Sequence, residues 1–152
     1  MTANVALRPA RLPDDAAAWG GMRQALWPDE PAVGTLAELL AAAHPQDAAC
    51  VLLAVAGGEA VGFAEARLRS EYVNGTTTSP VGFLEAWYVV PQWRGRGVGR
   101  ALVDGVEAWT RSRGCVELAS DALIDNHASV GAHRRCGFEE TERVVCFRKS
   151  LA

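Results

Sequence analysis

The sequence predicts a mixed α/β layer fold rather than a doubly wound one, on three observations. Val81–Val90 is a run of apolar, aromatic and β-branched residues that suits a buried strand. It stops at Pro91, which cannot donate a ladder hydrogen bond, and a glycine-rich turn and an amphipathic helix come at once after it. Ahead of it, two strand-like segments meet at Gly57-Gly58, the signal of a tight hairpin. Hairpin and helical connections therefore alternate in one chain.

In order, Asn4–Pro9 reads as a first strand. A helix from about Pro13 to Leu26 carries Trp19, Met22, Arg23 and Leu26 on one stripe, with Asp14 and Asp15 where helix N-termini favour acids. Trp27-Pro28-Asp29-Glu30-Pro31 is a rigid loop. Thr35 and Glu38 form a capping box that opens a second helix to about Ala43, ended by His44-Pro45. Cys50–Ala56 and Ala60–Leu68 are the hairpin strands, and Arg69–Pro80 is a polar loop. After Val81–Val90, the residues Val98, Ala101, Leu102, Gly105, Val106 and Trp109 recur at helical spacing, and Gly114 is placed to cap that helix. Val116–Ser120 is a short strand, Asp121–Asn126 a loop, and about His127 to Cys136 a helix with Gly137 after it. Phe138–Lys149 is strand-like and contains no Gly, Pro or Asn to turn on, which favours one long strand.

The chain has 152 residues, 49% hydrophobic and 22% charged, which suits one globular domain with a real core spanning residues 1–152. No run is apolar enough to span a bilayer, and the first residues lack a signal peptide's apolar centre, so a cytoplasmic location is expected. The net charge of −3 argues against nucleic acid or an anionic membrane as partner and permits a cationic substrate. Cys50, Cys115, Cys136 and Cys146 form no C-x-x-C pair and read as buried free thiols. With His44, His127 and His133 they show no metal-ligand spacing.

The turn itself reads Arg94-Gly95-Arg96-Gly97-Val98-Gly99-Arg100. Strand, glycine turn and helix N-terminus in that order suit a bound phosphate, because free N–H groups and the positive end of the helix dipole point the same way. A P-loop is excluded, since no Gly-Lys-Ser/Thr is present. The dinucleotide fingerprint also fails, because Arg100 stands where a third glycine belongs. What fits is Arg-x-x-Gly-x-Gly, as Arg94, Gly97 and Gly99. This resembles the pyrophosphate loop of the GNAT acyl-CoA N-acyltransferases, as do the order of elements and Asn126, Ser129, His133 and Gly137-Phe138 in the last helix region. Leu26-Trp27-Pro28, Tyr72-Val73-Asn74-Gly75, Ser79-Pro80, Phe83-Leu84-Glu85, Ala119-Ser120-Asp121 and Gly137 to Val144 together resemble the aminoglycoside 6′-N-acetyltransferases within that family.

The resemblance implies the GNAT fold, a mostly antiparallel sheet splayed between its fourth and fifth strands, with acetyl-CoA as cosubstrate and no metal. It places the pantetheine arm against the backbone of Trp87, Tyr88 and Val89, the pyrophosphate at Arg94, Gly95, Gly97, Gly99 and Arg100, and Asn126 on the far side of the arm. It implies an aminoglycoside pocket of Trp27, Tyr72, Glu85, Asp121 and Glu142. Read from the residues alone, Glu85 is notable because a carboxylate in mid-strand is costly unless paired. An ammonium has no lone pair, so a base must deprotonate the amine. Asp121 is the first choice and Glu85 the second. Direct transfer is expected, because no cysteine has an adjacent His or Asp to activate it. His133 stands where many GNATs carry a proton-donating tyrosine, which leaves proton donation, packing or phosphate contact open to it. One long C-terminal strand could cross to a second subunit, as it does in some of the resembled acetyltransferases, so the resemblance implies a homodimer that exchanges it. Two other readings compete: acetylation of another amine, a polyamine or a protein N-terminus, and a CoA-binding regulator without chemistry.

Overall fold

A computed structural model describes residues 4–30 and 49–152. The capping box at Thr35 and the helix expected after it lie outside the described residues. The elements are β1 (Val5–Pro9), α1 (Ala16–Leu26), β2 (Ala49–Ala56), β3 (Glu59–Arg69), β4 (Val81–Val89), a single 3-10 turn (Pro91–Trp93), α2 (Val98–Ser112), β5 (Leu118–Ser120) and α3 (His127–Arg135). The strands form one sheet in the order β1-β2-β3-β4-β5. Neighbours are antiparallel except β4 and β5, which run parallel. The mixed layer fold expected from the sequence is the one observed.

The two faces of the sheet bury different side chains. On one, Val98, Leu102, Val103 and Val106 of α2 pack on Ala54, Ala64, Ala66 and Leu84. Small alanines on the strands let this helix lie close. On the other, Trp19 and Met22 of α1 cover Leu53, Phe63 and Ala86, with Trp27 and Tyr88 at the margin. Burial of this apolar surface is the main stabilising term.

Two irregularities of the sheet fall on β4. Between β3 and β4 the register passes from Glu65↔Ala86 to Ala66↔Leu84, so Glu85 is the extra residue of a β-bulge. Bulges bend a strand and re-aim a side chain. Between β4 and β5 only three pairs form, Gly82↔Leu118, Phe83↔Ala119 and Leu84↔Ser120. Beyond Leu84, no strand among the described residues pairs with that side of β4.

Two expectations are corrected. Phe138–Lys149 is neither strand nor helix here. Its pattern is strand-like, but it forms no ladder with any strand among the described residues. Val145 and Phe147 are left 78% and 93% exposed. The four cysteines are all free, yet only Cys115 is buried; Cys50 and Cys136 are half-buried and Cys146 is exposed with the tail.

The helix α1 is tied to β1 electrostatically. The Arg8 guanidinium donates to both Asp15 carboxylate oxygens, at 2.6 and 2.8 Å, and the Arg11 N–H donates to one of them at 2.6 Å. The Arg8 hydrogen bond, then that of the Arg11 amide, hold the Asp15 carboxyl down at about 2, against an ordinary 3.8. A depressed folded value stabilises the fold above the unfolded value, and that contribution is lost as pH falls through the folded one. The urea midpoint of the wild type should therefore exceed that of Asp15→Asn at pH 7, with the gap closing as pH falls from about 4 toward about 2. A gap unchanged by acid would show that the ion pair does not set it.

Candidate active site

The site is built around the unpaired outer edge of β4 and the turn at its end. Gly95 and Gly97 adopt φ of +74° and +83°. A Cβ at either would meet no atom within 4 Å, so backbone conformation, not crowding, requires glycine there. Gly97 is the N-cap of α2 and offers no side chain to the first free N–H groups of the helix. Those groups remain for a ligand, and the helix dipole favours an anionic one.

The three arginines of the turn are held by the protein. Arg94 Nε donates to the Val89 carbonyl at 2.8 Å, and its guanidinium lies 5.4 Å from the Tyr88 ring. Arg96 lies 5.0 Å from the Trp93 ring. Arg100 donates to the Arg135 carbonyl at the end of α3. Trp87 Nε1 donates to the Gly99 carbonyl at 3.1 Å, and a Cβ on Gly99 would lie 3.2 Å from Trp87 Cζ2. So Gly99 serves close packing, while Gly95 and Gly97 serve conformation.

Glu85 sits in an arginine clamp. Its carboxylate accepts from Arg67 Nε at 2.5 Å and Arg69 Nη2 at 3.0 Å, and the Arg69 guanidinium lies 3.5 Å from the Phe83 ring centre. Deeper on the same face, Glu65 accepts from Trp19 Nε1 at 3.1 Å and pairs with Arg23 at 3.4 Å. Burial raises the Glu65 pKa, opposed by Arg23 and the Trp19 hydrogen bond and reinforced by Glu85. Sequence reasoning missed Arg23, Glu65, Arg67 and Arg69 as a group. The signal was present: Glu65, Arg67 and Arg69 alternate along one face of β3 beside the mid-strand Glu85.

The other expected residues are spread around this core. Trp27 is the C-cap of α1, with the Arg23 guanidinium 5.1 Å from its ring. Asp121 comes directly after the last residue of β5 and is exposed. Tyr72 is 75% exposed in the loop before β4, and Glu142 is exposed in the tail. No hydrogen bond or ion pair among the described residues engages Tyr72, Asp121 or Glu142. Asn126 caps α3, its Oδ1 accepting from the Ser129 N–H at 3.1 Å. His133 is half-buried and held at both ring nitrogens: Nε2 lies 2.8 Å from Ser120 Oγ and Nδ1 lies 2.7 Å from the Ser129 carbonyl. Ser120 gave no signal of its own, since a lone serine at a strand end is commonplace. Burial pushes the Cys50 thiol up to about 11 and raises that of Cys136, the opposite of an activated nucleophile. Among the described residues, no cluster of three or more His, Cys, Asp or Glu could hold a metal, and no helix is long and apolar enough to cross a membrane.

The chain belongs to the acetyltransferase (GNAT) family, whose model matches residues 19–138. Within it, the chain is 58% identical over 139 residues to an aminoglycoside N(6′)-acetyltransferase type 1 of Stenotrophomonas maltophilia, covering 91% of this chain and 90% of that one. It is 43% identical to the enzyme of the same name from Klebsiella aerogenes, covering 99% and 100%. Among solved structures, AAC(6′)-Iy in complex with the bisubstrate analog CoA-S-monomethyl-acetylneamine matches with a TM-score of 0.88 at 40% identity, covering 97% and 99%. The 6′-N-acetyltransferase AAC(6′)-Ih from Acinetobacter baumannii also matches at 0.88, with 39% identity and 98% and 100% covered.

The clamp on Glu85 makes a quantitative expectation. Glu85→Gln and Arg69→Met should each destabilise, and the double variant should lose less than the sum, with a coupling of about 1 kcal/mol in urea unfolding. A coupling of zero would show that the contact contributes nothing.

Proposed function

We propose that this chain transfers the acetyl group of acetyl-CoA to the 6′-amino group of aminoglycosides, directly and within a ternary complex. The observation that carries this reading is the free edge of β4 running into the Gly95–Gly97 turn at the N-terminus of α2. A main-chain edge without a strand partner suits an extended arm bearing amides, and the turn at its end suits that arm's phosphates. Acetyl-CoA has this form and supplies the acetyl group as a thioester. The substrate class is supported by the Stenotrophomonas and Klebsiella relatives.

The chain acts as one domain, and its own residues divide the work. The Trp87, Tyr88 and Val89 backbone holds the arm, and an N–H there polarises the acetyl carbonyl. Gly95, Gly97, Gly99 and the N–H groups of α2 receive the pyrophosphate, with Arg94 and Arg100 beside them, and Asn126 flanks the arm at the start of α3. Trp27, Tyr72, Glu85, Asp121 and Glu142 face the polycationic acceptor. Asp121 takes the proton from the amine. Glu85 is the weaker choice of base, because its oxygens are already occupied by Arg67 and Arg69. The raised thiols of Cys50 and Cys136 support transfer without an acyl-enzyme. Four free cysteines support a reducing, cytoplasmic setting.

The chain forms a homodimer that exchanges its C-terminal segment. Three facts support this. The tail exposes Val144, Val145, Phe147 and Leu151. β5 is an edge strand of the sheet. Beside β5, a groove of about 720 Å³ runs between α2 and the 136–141 segment. A partner's tail added there would pair both.

Two measurements check these readings. Thiol release from acetyl-CoA should occur with kanamycin and tobramycin, with product acetylated at the 6′ amine, and Asp121→Asn should lower kcat/KM about 10²-fold. Release with spermidine alone would move the activity to polyamines, and no release with any acceptor would remove the enzymatic reading. In sedimentation at micromolar concentration the chain should run as a dimer, and removal of residues 143–152 should leave a monomer. A monomeric full-length chain would remove the exchange.

A further inference from the structure

β4 and β5 part company just after the pair Leu84↔Ser120. At that point Ser120 Oγ lies 3.2 Å from the Leu84 carbonyl and 2.8 Å from His133 Nε2. The Ser129 carbonyl can only accept, so the His133 Nδ1 that lies 2.7 Å from it carries a proton. With a neutral ring, Nε2 accepts from the Ser120 hydroxyl. With a protonated ring, Nε2 donates and the hydroxyl turns to Leu84. Either way Ser120 and His133 stay joined, the hydroxyl proton going to Nε2 in the first case and to the Leu84 carbonyl in the second, and both ring nitrogens have a partner.

The ring is also wedged on its flanks. Trp87 of β4 meets it edge-on with centroids 5.3 Å apart, and Phe138 does so at 5.2 Å. Trp87 in turn is bonded to Gly99 in the first turn of α2, and Arg100 of that turn reaches back to the Arg135 carbonyl of α3. One helix, α3, is thus fastened to the end of β5, to β4 beyond the fork, and to the start of α2. Those are the three elements that border the free edge of β4.

We propose that His133 and Ser120 are a positioning pair, a brace at the fork that fixes where β4 and β5 diverge and so how closely an acyl-CoA arm seats against β4. On this assignment His133 orients the slot and donates no proton to the leaving thiolate. The proposal rests on the acetyl-transfer reading.

The test separates seating from chemistry. Acetyl-CoA binding is titrated calorimetrically without acceptor for the wild type, Ser120→Ala, Ser120→Thr, His133→Asn and the Ser120→Ala/His133→Asn double variant. Turnover is measured at saturating acetyl-CoA. Ser120→Ala and His133→Asn should each weaken binding about tenfold with kcat within about twofold, the size of one lost hydrogen bond. Ser120→Thr, which keeps the hydroxyl, should bind as the wild type does. The double variant should be no weaker than the worse single one, because both remove the same contact. Wild-type affinity in Ser120→Ala, or a fall in kcat at unchanged affinity in His133→Asn, would overturn the brace; the second result is the signature of a proton donor. Should His133→Asn not fold, the two Ser120 variants decide alone. A folded wild type that binds no acetyl-CoA would overturn the slot and the brace together, whereas equal binding by all variants would overturn the brace only.

Discussion

The constraint on which the rest depends is the one-sided pairing of β4. Its inner side is laddered to β3 along the whole strand, while its outer side meets β5 for only three residues. Open edges expose N–H and C=O groups that must find water or a ligand. Most proteins blunt such an edge. Here the fold keeps it open: α3 is wedged at the fork through His133, and the Glu85 bulge bends β4 at the residue after the last β5 pair. Arg94 then closes the end of the strand by taking the Val89 carbonyl. The edge is therefore bounded at both ends and free between them.

Charge is arranged to the same end. Carboxylates on the α1 face are paired from within: Glu65 with Arg23 and by a hydrogen bond from the Trp19 indole, Glu85 with Arg67 and Arg69. A buried unpaired carboxylate would be costly, and the raised Glu65 pKa shows burial outweighing its partners. Asp121 and Glu142 differ from these in being exposed and engaged by no hydrogen bond or ion pair among the described residues. The chain's net charge of −3 is too small to attract a polycation by bulk field alone.

Much of this was legible in the sequence because local rules agreed with the fold. Val81–Val90 ended within a residue of the observed strand because Pro91 forbids further pairing. Gly95 and Gly97 announced a turn that needs positive φ. Glu85 was conspicuous as a mid-strand charge, but its bulge depends on the register with β3, which one strand's own pattern cannot encode. The clamp was hidden for a related reason: Arg67 and Arg69 look like a solvated strand face until Glu85 is set opposite them. His133 could be placed on its helix but not oriented, since Ser120 and Trp87 reach it from two other elements. The tail has a strand's pattern but pairs with no strand among the described residues, and pairing is not encoded in a segment's own alternation.

A reaction between two bound substrates draws on position as well as on a base. Burial moves the Cys50 and Cys136 thiols away from reactivity. A reaction between two bound substrates needs instead that both be held at attacking distance, where orientation alone is worth about 7–11 kcal/mol of barrier. Positioning on that scale requires the holding groups to move little. Backbone on a sheet strand and N–H groups of a helix terminus meet that requirement better than long side chains do. The contacts that join His133, Trp87, Ser120 and Gly99 tie β4, β5, α2 and α3 together along that edge.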